Sequence, residues 1–413
     1  AGTPPFGVAA TVVEGLKTIG PAAGIASWYD YFNSQGTQFG NAPYSDLSWL
    51  SLYVSTRMLD QDDWAGIWQN YSNYINQLNK DQYAHDRNYS DVWKERDYTL
   101  HPENLKTSAL IVHGLNDDNV KTKHFELMYD ALKKAGQDVK LYLHQGDHVY
   151  PAAMSRGYGI TANGQDFYDL LNTWLTHYLY GVDNHVESLP AVLAQNNYDP
   201  SKWTSYDNWK SSQRLFLNAS SKRLEETISS DYAAAGVEIA NRNETVSKAS
   251  SKANLTFVSD VTEDTTIKGH IPVHFKAALA KGQGKNFQIN ALLVDVADED
   301  FDVVENGSVK QDKTADAFWM GSNLSNLSVA EYETIKTKYK VIAKGWINLA
   351  NPKSGYDSAS SRASIEPKVG EYHDYTVYLQ PNLYTVKKGH KLALVFNTYD
   401  PSDLTVEHPY EVT

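Results

Sequence analysis

Residues 109–117 read Ala109-Leu110-Ile111-Val112-His113-Gly114-Leu115-Asn116-Asp117, and residues 139–148 read Val139-Lys140-Leu141-Tyr142-Leu143-His144-Gln145-Gly146-Asp147-His148. Each opens on a short apolar run with the texture of a strand buried on both faces. Between them a helix is expected from about Lys121 to Ala135, with Phe125, Met128, Tyr129 and Leu132 on its buried stripe and Gly136 as its stop. A second helix is expected over about Gln165 to Tyr180, where Phe167, Leu170, Leu171, Trp174, Leu175 and Tyr178 recur at helical spacing before Gly181. Strand, helix, strand, helix over 105–181 is the order of a doubly wound, mostly parallel sheet.

In an open sheet of this kind ligands bind beyond the carboxyl ends of the strands. Asp117 and His148 stand just past two successive strand ends, so both are expected on one edge. A carboxylate that orients an imidazole is the acid–base half of a Ser-His-Asp triad, and the order nucleophile, acid, base is that of an α/β-hydrolase. Each residue also has a plainer reading: Asp117 or Asp118 shaping a turn, His148 as an ordinary surface histidine. Their matched placement favours catalysis, with Asp118 as the rival acid. His144 to His148 also spell H-x-x-D-H, but a metal motif of that form needs both histidines on one helical face. Here a strand precedes and Gly146 interrupts, so neither a metal nor a cofactor is expected. The nucleophile elbow G-x-S-x-G occurs nowhere in the chain. Residues 3–14 read as the small-residue helix that follows such an elbow, so the serine is expected at or just before residue 1.

Composition narrows the partners. At 413 residues the chain is too long for one core. There is no cysteine, which removes disulfides, thiolate metal sites and a cysteine nucleophile, and suits a reducing, cytoplasmic setting. A net charge of −13 without a basic cluster disfavours nucleic acid and anionic membranes. No apolar run approaches the roughly 18 residues of a membrane span.

Working outward, Leu16 to Ser27 is apolar and Gly/Ala-rich and suits a short strand, and 33–44 read as a loop. Residues 46–97 look helical, with Asp46 as a cap and Trp64, Ile67, Trp68 and Tyr71 on one stripe. The expected division is an α/β part over 1–183 with a helical insertion at about 38–100, a connector at 184–212, and an all-β sandwich or jelly roll over 213–413. Strand-like segments recur there at Leu215–Leu217, His270–Phe275, Phe287–Val296, Tyr339–Ile347, Tyr372–Leu379 and Leu392–Phe396.

Glu14-Gly15-Leu16-Lys17-Thr18-Ile19, Ser27-Trp28-Tyr29-Asp30-Tyr31, Val92-Trp93-Lys94-Glu95-Arg96 and His113-Gly114-Leu115-Asn116-Asp117 together resemble the X-prolyl dipeptidyl aminopeptidases of lactic acid bacteria. The likeness runs along essentially the whole chain. It implies a serine exopeptidase that releases Xaa-Pro dipeptides from free peptide N-termini, and a homodimer. In the family the nucleophile segment resembles G-x-S-Y-x-G, and Ala1-Gly2 look like its last two positions. The resemblance further implies that Trp28, Tyr31, Leu50 and Val120 hold the proline ring, and that Asn119 and an acid at the helical insertion, matched to Asp46, meet the terminal ammonium. Two rivals stay open. One is a relative of the same architecture acting on esters or acyl-amino compounds; the other is a non-catalytic jelly-roll binding protein.

Overall fold

The computed structural model describes residues 2–39, 46–54, 64–85, 88–148, 151–153, 158–159, 161–162, 165–210, 227–230, 254–305, 309–310, 331–357, 364–398 and 408–413. Helix α1 (Thr3–Ala10) carries proline in its first turn, where a missing N–H costs nothing. It stops short of the expected end at residue 14. The Thr11 N–H and hydroxyl both return to the Val8 carbonyl, and Val12 then turns left-handed at φ 58°. Strand β1 (Thr18–Ile19) follows, then α2 (Trp28–Phe32), whose N-cap Ser27 accepts from the Asp30 N–H.

Residues 33–44 are not all loop. Strands β2 (Asn33–Ser34) and β3 (Thr37–Gln38) form a hairpin whose corner residues, Gln35 at φ 43° and Gly36 at φ 82°, are both left-handed, as a two-residue type I′ connection requires. Residues 40–44 lie outside the described residues. The helical insertion comprises α3 (Leu47–Val54), α4 (Trp64–Tyr83) and α5 (Asp91–Lys94). On α4 the Trp64 ring meets Trp68 at 5.4 Å and Tyr71 at 5.6 Å, the expected stripe, although Trp68 stays half-exposed.

Strand β4 (Ser108–Gly114), helix α6 (Lys123–Lys134), strand β5 (Val139–His144) and helix α7 (Phe167–Tyr180) build the α/β half. β4 lies between β1 and β5, parallel to both. Every β4 side chain is buried because both faces are covered. Ala109 and Ile111 pack with α1 and α6, while Leu110 and Val112 pack with Trp174 and Phe167 of α7. This explains why β4 reads as a continuous apolar run and not as an alternation. α6 and α7 end at Gly136 and Gly181, both at positive φ, where glycine avoids the Cβ clash.

The expected connector is corrected in part. Residues 192–195 pair in parallel with β5, and residues 203–206 pair antiparallel with them, so both extend the first sheet. Val192 and Ala194 are buried, but four residues are too few for a period to show in sequence.

The second half is mostly β. Strands 254–260, 391–397, 288–303 and 335–348 form one sheet in that order, and 265–277 pairs with 373–386. Residues from both layers share one core, including Ile289, Ala291, Ile347, Val377, Leu379 and Val386. The expected segment Leu215–Leu217 lies outside the described residues. The two halves are joined through the β2–β3 hairpin. Ser34 donates to the Trp346 carbonyl at 3.0 Å, Gln35 donates to Thr376 O at 2.8 Å and accepts from the Tyr378 N–H at 3.0 Å, and Phe39 packs edge-on against Trp346 at 4.9 Å.

Candidate active site

β4 and β5 run in register, Gly114 opposite His144, so their chains leave the sheet side by side. The Leu115 N–H donates to His144 O at 2.7 Å and the Asn116 N–H to Gly146 O at 3.1 Å. The Asn116 side-chain amide donates to the Gln145 carbonyl at 2.8 Å. The turn after β4 and the turn after β5 are therefore stitched together independently of the Asp117 and His148 side chains.

The two oxygens of Asp117 divide their work. Oδ1 accepts the N–H groups of Asn119 and Val120, each at 2.9 Å, which shapes the turn into α6. Oδ2 accepts from His148 Nδ1–H at 2.9 Å. The side chain has no exposed surface. Asp117 thus shapes the turn and hydrogen-bonds the His148 imidazole at once. Asp118 is exposed; its N–H points at Asp147 Oδ1, 3.4 Å away.

Burial separates the histidines of this region by chemistry. His124, which accepts the Ala26 N–H on Nδ1, and His144 are fully buried, and burial pushes each down to about 3. His113 is also held below its ordinary value by burial; its Nε2–H donates to Val120 O at 2.8 Å. His148 alone of the four is shifted upward, chiefly by its hydrogen bond to Asp117, which outweighs partial burial. Its side chain retains 41 % exposure, so it can exchange protons with a bound reactant. His144 Nδ1 already accepts from Tyr332 and Gly146. Asp117 sits 3.6 Å from His113 Nε2, so the carboxylate faces two imidazoles, of which only His148 opens to solvent.

Gly114 is required by this closeness. A Cβ there would fall inside van der Waals distance of the Gly146 and Asp147 carbonyl oxygens, which are backbone and cannot rotate away. Gly114→Ala is expected to force the two turns apart. The cost is about 1–3 kcal/mol of stability by the logic of overpacking, read by chemical denaturation, with a loss of turnover in the full-length gene product.

The residues expected on the substrate side fall in two groups. Trp28, Tyr31, Leu50 and Val120 belong to one apolar cluster with Tyr29, Phe32, Leu47 and Trp93. The Trp28 and Tyr31 rings meet edge-on at 5.8 Å, and the Trp28 indole donates to Tyr98 OH at 3.0 Å. The Tyr31 hydroxyl donates to Asn119 Oδ1 at 2.8 Å, which ties this cluster to the acid turn. Asp46 has a second occupation. It caps α3, with Oδ1 accepting from the Trp49 N–H at 2.7 Å and the Ser48 hydroxyl at 2.6 Å, and Oδ2 from Tyr83 at 3.0 Å. Burial raises its carboxyl, but these hydrogen bonds outweigh it and hold it below the usual range.

Two residues beside the site escaped the sequence reading. Lys340, on strand 335–348 of the β half, donates to Asn116 Oδ1 at 2.7 Å, and Tyr332 donates to His144 Nδ1 at 2.8 Å. Neither lies in a motif. The alternation of strand 335–348 was legible, but a lysine within it reads as an outward-facing residue.

Comparison with known proteins follows this division. Residues 1–150 match the family described as X-Pro dipeptidyl-peptidase (S15 family). Residues 184–406 match its C-terminal non-catalytic domain. Among curated relatives, the Xaa-Pro dipeptidyl-peptidase of Ligilactobacillus salivarius is 30 % identical over 425 residues, covering 97 % of this chain and 50 % of the relative. That of Lactiplantibacillus plantarum is also 30 % identical, over 428 residues, with the same coverage of 97 % and 50 %. The chain spans about half the length of these curated relatives. Among solved structures, an aminopeptidase from a marine sediment archaeon (Thaumarchaeota) superposes with a TM-score of 0.60 at 14 % identity, over 97 % of this chain and 70 % of that one. An α-amino acid ester hydrolase superposes with a TM-score of 0.57 at 15 % identity, over 100 % of this chain and 72 % of that one. At such identities the likeness shows the fold alone. The family match extends over more than half of the chain, and the chain belongs to the X-Pro dipeptidyl-peptidase family.

Proposed function

We propose that this chain supplies the acid and base of a serine exopeptidase that removes Xaa-Pro dipeptides from peptide N-termini. The observation that carries the reading is the 2.9 Å hydrogen bond from His148 to a fully buried Asp117 at the carboxyl edge of a parallel sheet. His148 takes the proton of a serine hydroxyl, an acyl-enzyme forms on the carbonyl after proline, and His148 then activates water to release the dipeptide. Asp117 fixes the tautomer that leaves Nε2 free to accept. No G-x-S-x-G elbow exists among these 413 residues, so the reading assigns the nucleophile to sequence outside them. On that assignment an organophosphonate does not label the isolated chain.

The apolar cluster of Trp28, Tyr31, Leu50 and Val120 is the candidate floor for the proline ring, since a ring without donors suits aromatic and aliphatic walls. Asn119 Oδ1 is the candidate acceptor for the substrate ammonium, shared with the Tyr31 hydroxyl. Asp46 keeps its candidacy for the same charge, since a carboxylate that caps a helix still carries its negative charge. The mostly β half is read as a jelly-roll-like sandwich that walls the site and admits only a short N-terminal segment. The same reading carries a cytoplasmic location and a homodimeric full-length protein.

Hydrolysis of simple esters is the second reading, favoured by the ester hydrolase among the structural neighbours. Rates of the full-length gene product on an Xaa-Pro amide and on a simple ester separate the two. A kcat/KM for the amide that exceeds the ester's supports the peptidase; the reverse order sinks it.

A pH profile follows from the same geometry. His148 must be neutral to act as base, and its hydrogen bond to Asp117 raises its pKa. The acidic limb of kcat/KM is therefore expected above the ordinary histidine value of about 6.5. A limb at or below that value would remove Asp117 as its partner.

A further inference from the structure

The two turns that carry Asp117 and His148 are each gripped from the mostly β half. On the acid side, Lys340 reaches into the cleft between the halves, where it is 7 % exposed. Its ammonium donates to Asn116 Oδ1 at 2.7 Å and to the Glu305 carbonyl at 3.1 Å, and pairs with Glu305 Oε2 at 3.0 Å. Asn116 is the residue before Asp117. With its oxygen held by Lys340, its amide nitrogen is aimed at the Gln145 carbonyl, 2.8 Å away on the base turn. Gln145 is fixed in turn by Gln195, whose side-chain oxygen accepts the Gln145 N–H at 2.8 Å and whose carbonyl accepts Gln145 Nε2 at 3.0 Å. On the base side, the Tyr332 hydroxyl donates to His144 Nδ1 at 2.8 Å, with the two rings stacked.

We propose that Lys340 is a positioning residue for the acid–base pair: its ammonium fixes the Asn116 amide, which bridges the acid and base turns and so sets the Asp117–His148 geometry from the β half. The chemistry favours lysine here. A side-chain amide can turn over and exchange its oxygen for its nitrogen. A cation on one side leaves only the orientation in which the oxygen faces Lys340 and the nitrogen faces Gln145. In a cleft of low effective dielectric that preference is stronger than in water. The β half thereby acts on catalysis without touching substrate. This inference rests on the assignment of Asp117 and His148 as acid and base.

The test uses the full-length gene product and an Xaa-Pro amide. Lys340→Met is expected to lower kcat by about ten- to a hundredfold, the scale of a misplacement near 1 Å, with KM changed less than about twofold. The acidic limb of the pH profile should move down as the His148–Asp117 bond loosens. Asn116→Ala leaves the Lys340–Glu305 pair within the β half intact, so it keeps the buried ammonium paired and tests the bridge if Lys340→Met fails to fold. It should reproduce the kinetic change, and the double variant should be no worse than the more damaged single one. Lys336→Met, on the same strand as Lys340, removes an exposed pair with Asp302 of the neighbouring strand; it serves as the control and should leave kcat and the limb unchanged. A folded Lys340→Met or Asn116→Ala with wild-type kcat and an unmoved limb overturns the proposal. If Asp117→Asn and His148→Ala also leave activity intact, the acid–base assignment has failed; if those two abolish it, the positioning role alone has failed.

Discussion

Asp117→Asn is expected to lower kcat of the full-length gene product on an Xaa-Pro amide by about 10⁴-fold, the scale of tautomer loss in a triad, while leaving the fold in place. The two oxygens of Asp117 explain why these effects separate. Oδ1 accepts two backbone N–H groups, and an asparagine oxygen can still do so. The substituted nitrogen then faces His148 Nδ1, where it donates. His148 must turn its own acceptor toward it, and Nε2 becomes protonated and useless as a base. Asp117→Ala removes the turn as well, so it should lose the same activity and also unfold at lower denaturant. Steady-state rates with far-UV circular dichroism read both properties. Activity retained in Asp117→Asn within tenfold of wild type would be incompatible with the assigned role.

Lys123→Met is expected to be the most destabilising single change, by about 3–5 kcal/mol, the cost of breaking a buried ion pair from one side. Lys123 Nζ lies 2.6 Å from Asp30 Oδ1, with side-chain exposures of 9 % and 2 %. The pair ties α6, which begins just after the acid turn, to α2, which carries Trp28 and Tyr31, and the ammonium also lies over the Tyr356 ring of the β half at 4.7 Å. Removal of the lysine leaves the Asp30 carboxylate buried without that counter-charge. The double variant Lys123→Met with Asp30→Asn should recover a large part of the loss, because the remaining charge is gone. Denaturant midpoints for the two singles and the double form the cycle. A Lys123→Met midpoint within experimental scatter of wild type would show that the pair contributes nothing net.

What the sequence disclosed and withheld has a physical pattern. β4, α6, β5 and α7 were legible because burial on both faces leaves continuous apolar runs, and burial on one face leaves helical stripes. The Asp117–His148 juxtaposition was legible because parallel neighbours in register end at the same edge. The β2–β3 hairpin was not, since Ser34 and Gln35 are polar for a reason that lies far along the chain: they bond to residues 346, 354, 376 and 378. Strands 192–195 and 203–206 look like connector in the sequence because four residues carry too little pattern. Lys340 was invisible, because a lysine on a strand has no signature that tells a solvated charge from one buried in a cleft against Asn116. Asp46 showed its capping role from its place before a helix, and it accepts the Trp49 N–H in that role, with the Ser48 and Tyr83 hydroxyls as further donors.

On the proposed function, His148, oriented by Asp117, activates a serine nucleophile. Mass-spectrometric mapping of a proline-directed organophosphonate adduct on the full-length gene product tests it most directly, in wild type and in His148→Ala. Expected is one equivalent of label on a single serine outside these 413 residues, formed at least about a hundredfold more slowly without His148. Labelling at the wild-type rate in His148→Ala, or stoichiometric labelling of a serine within the 413 residues, would contradict it.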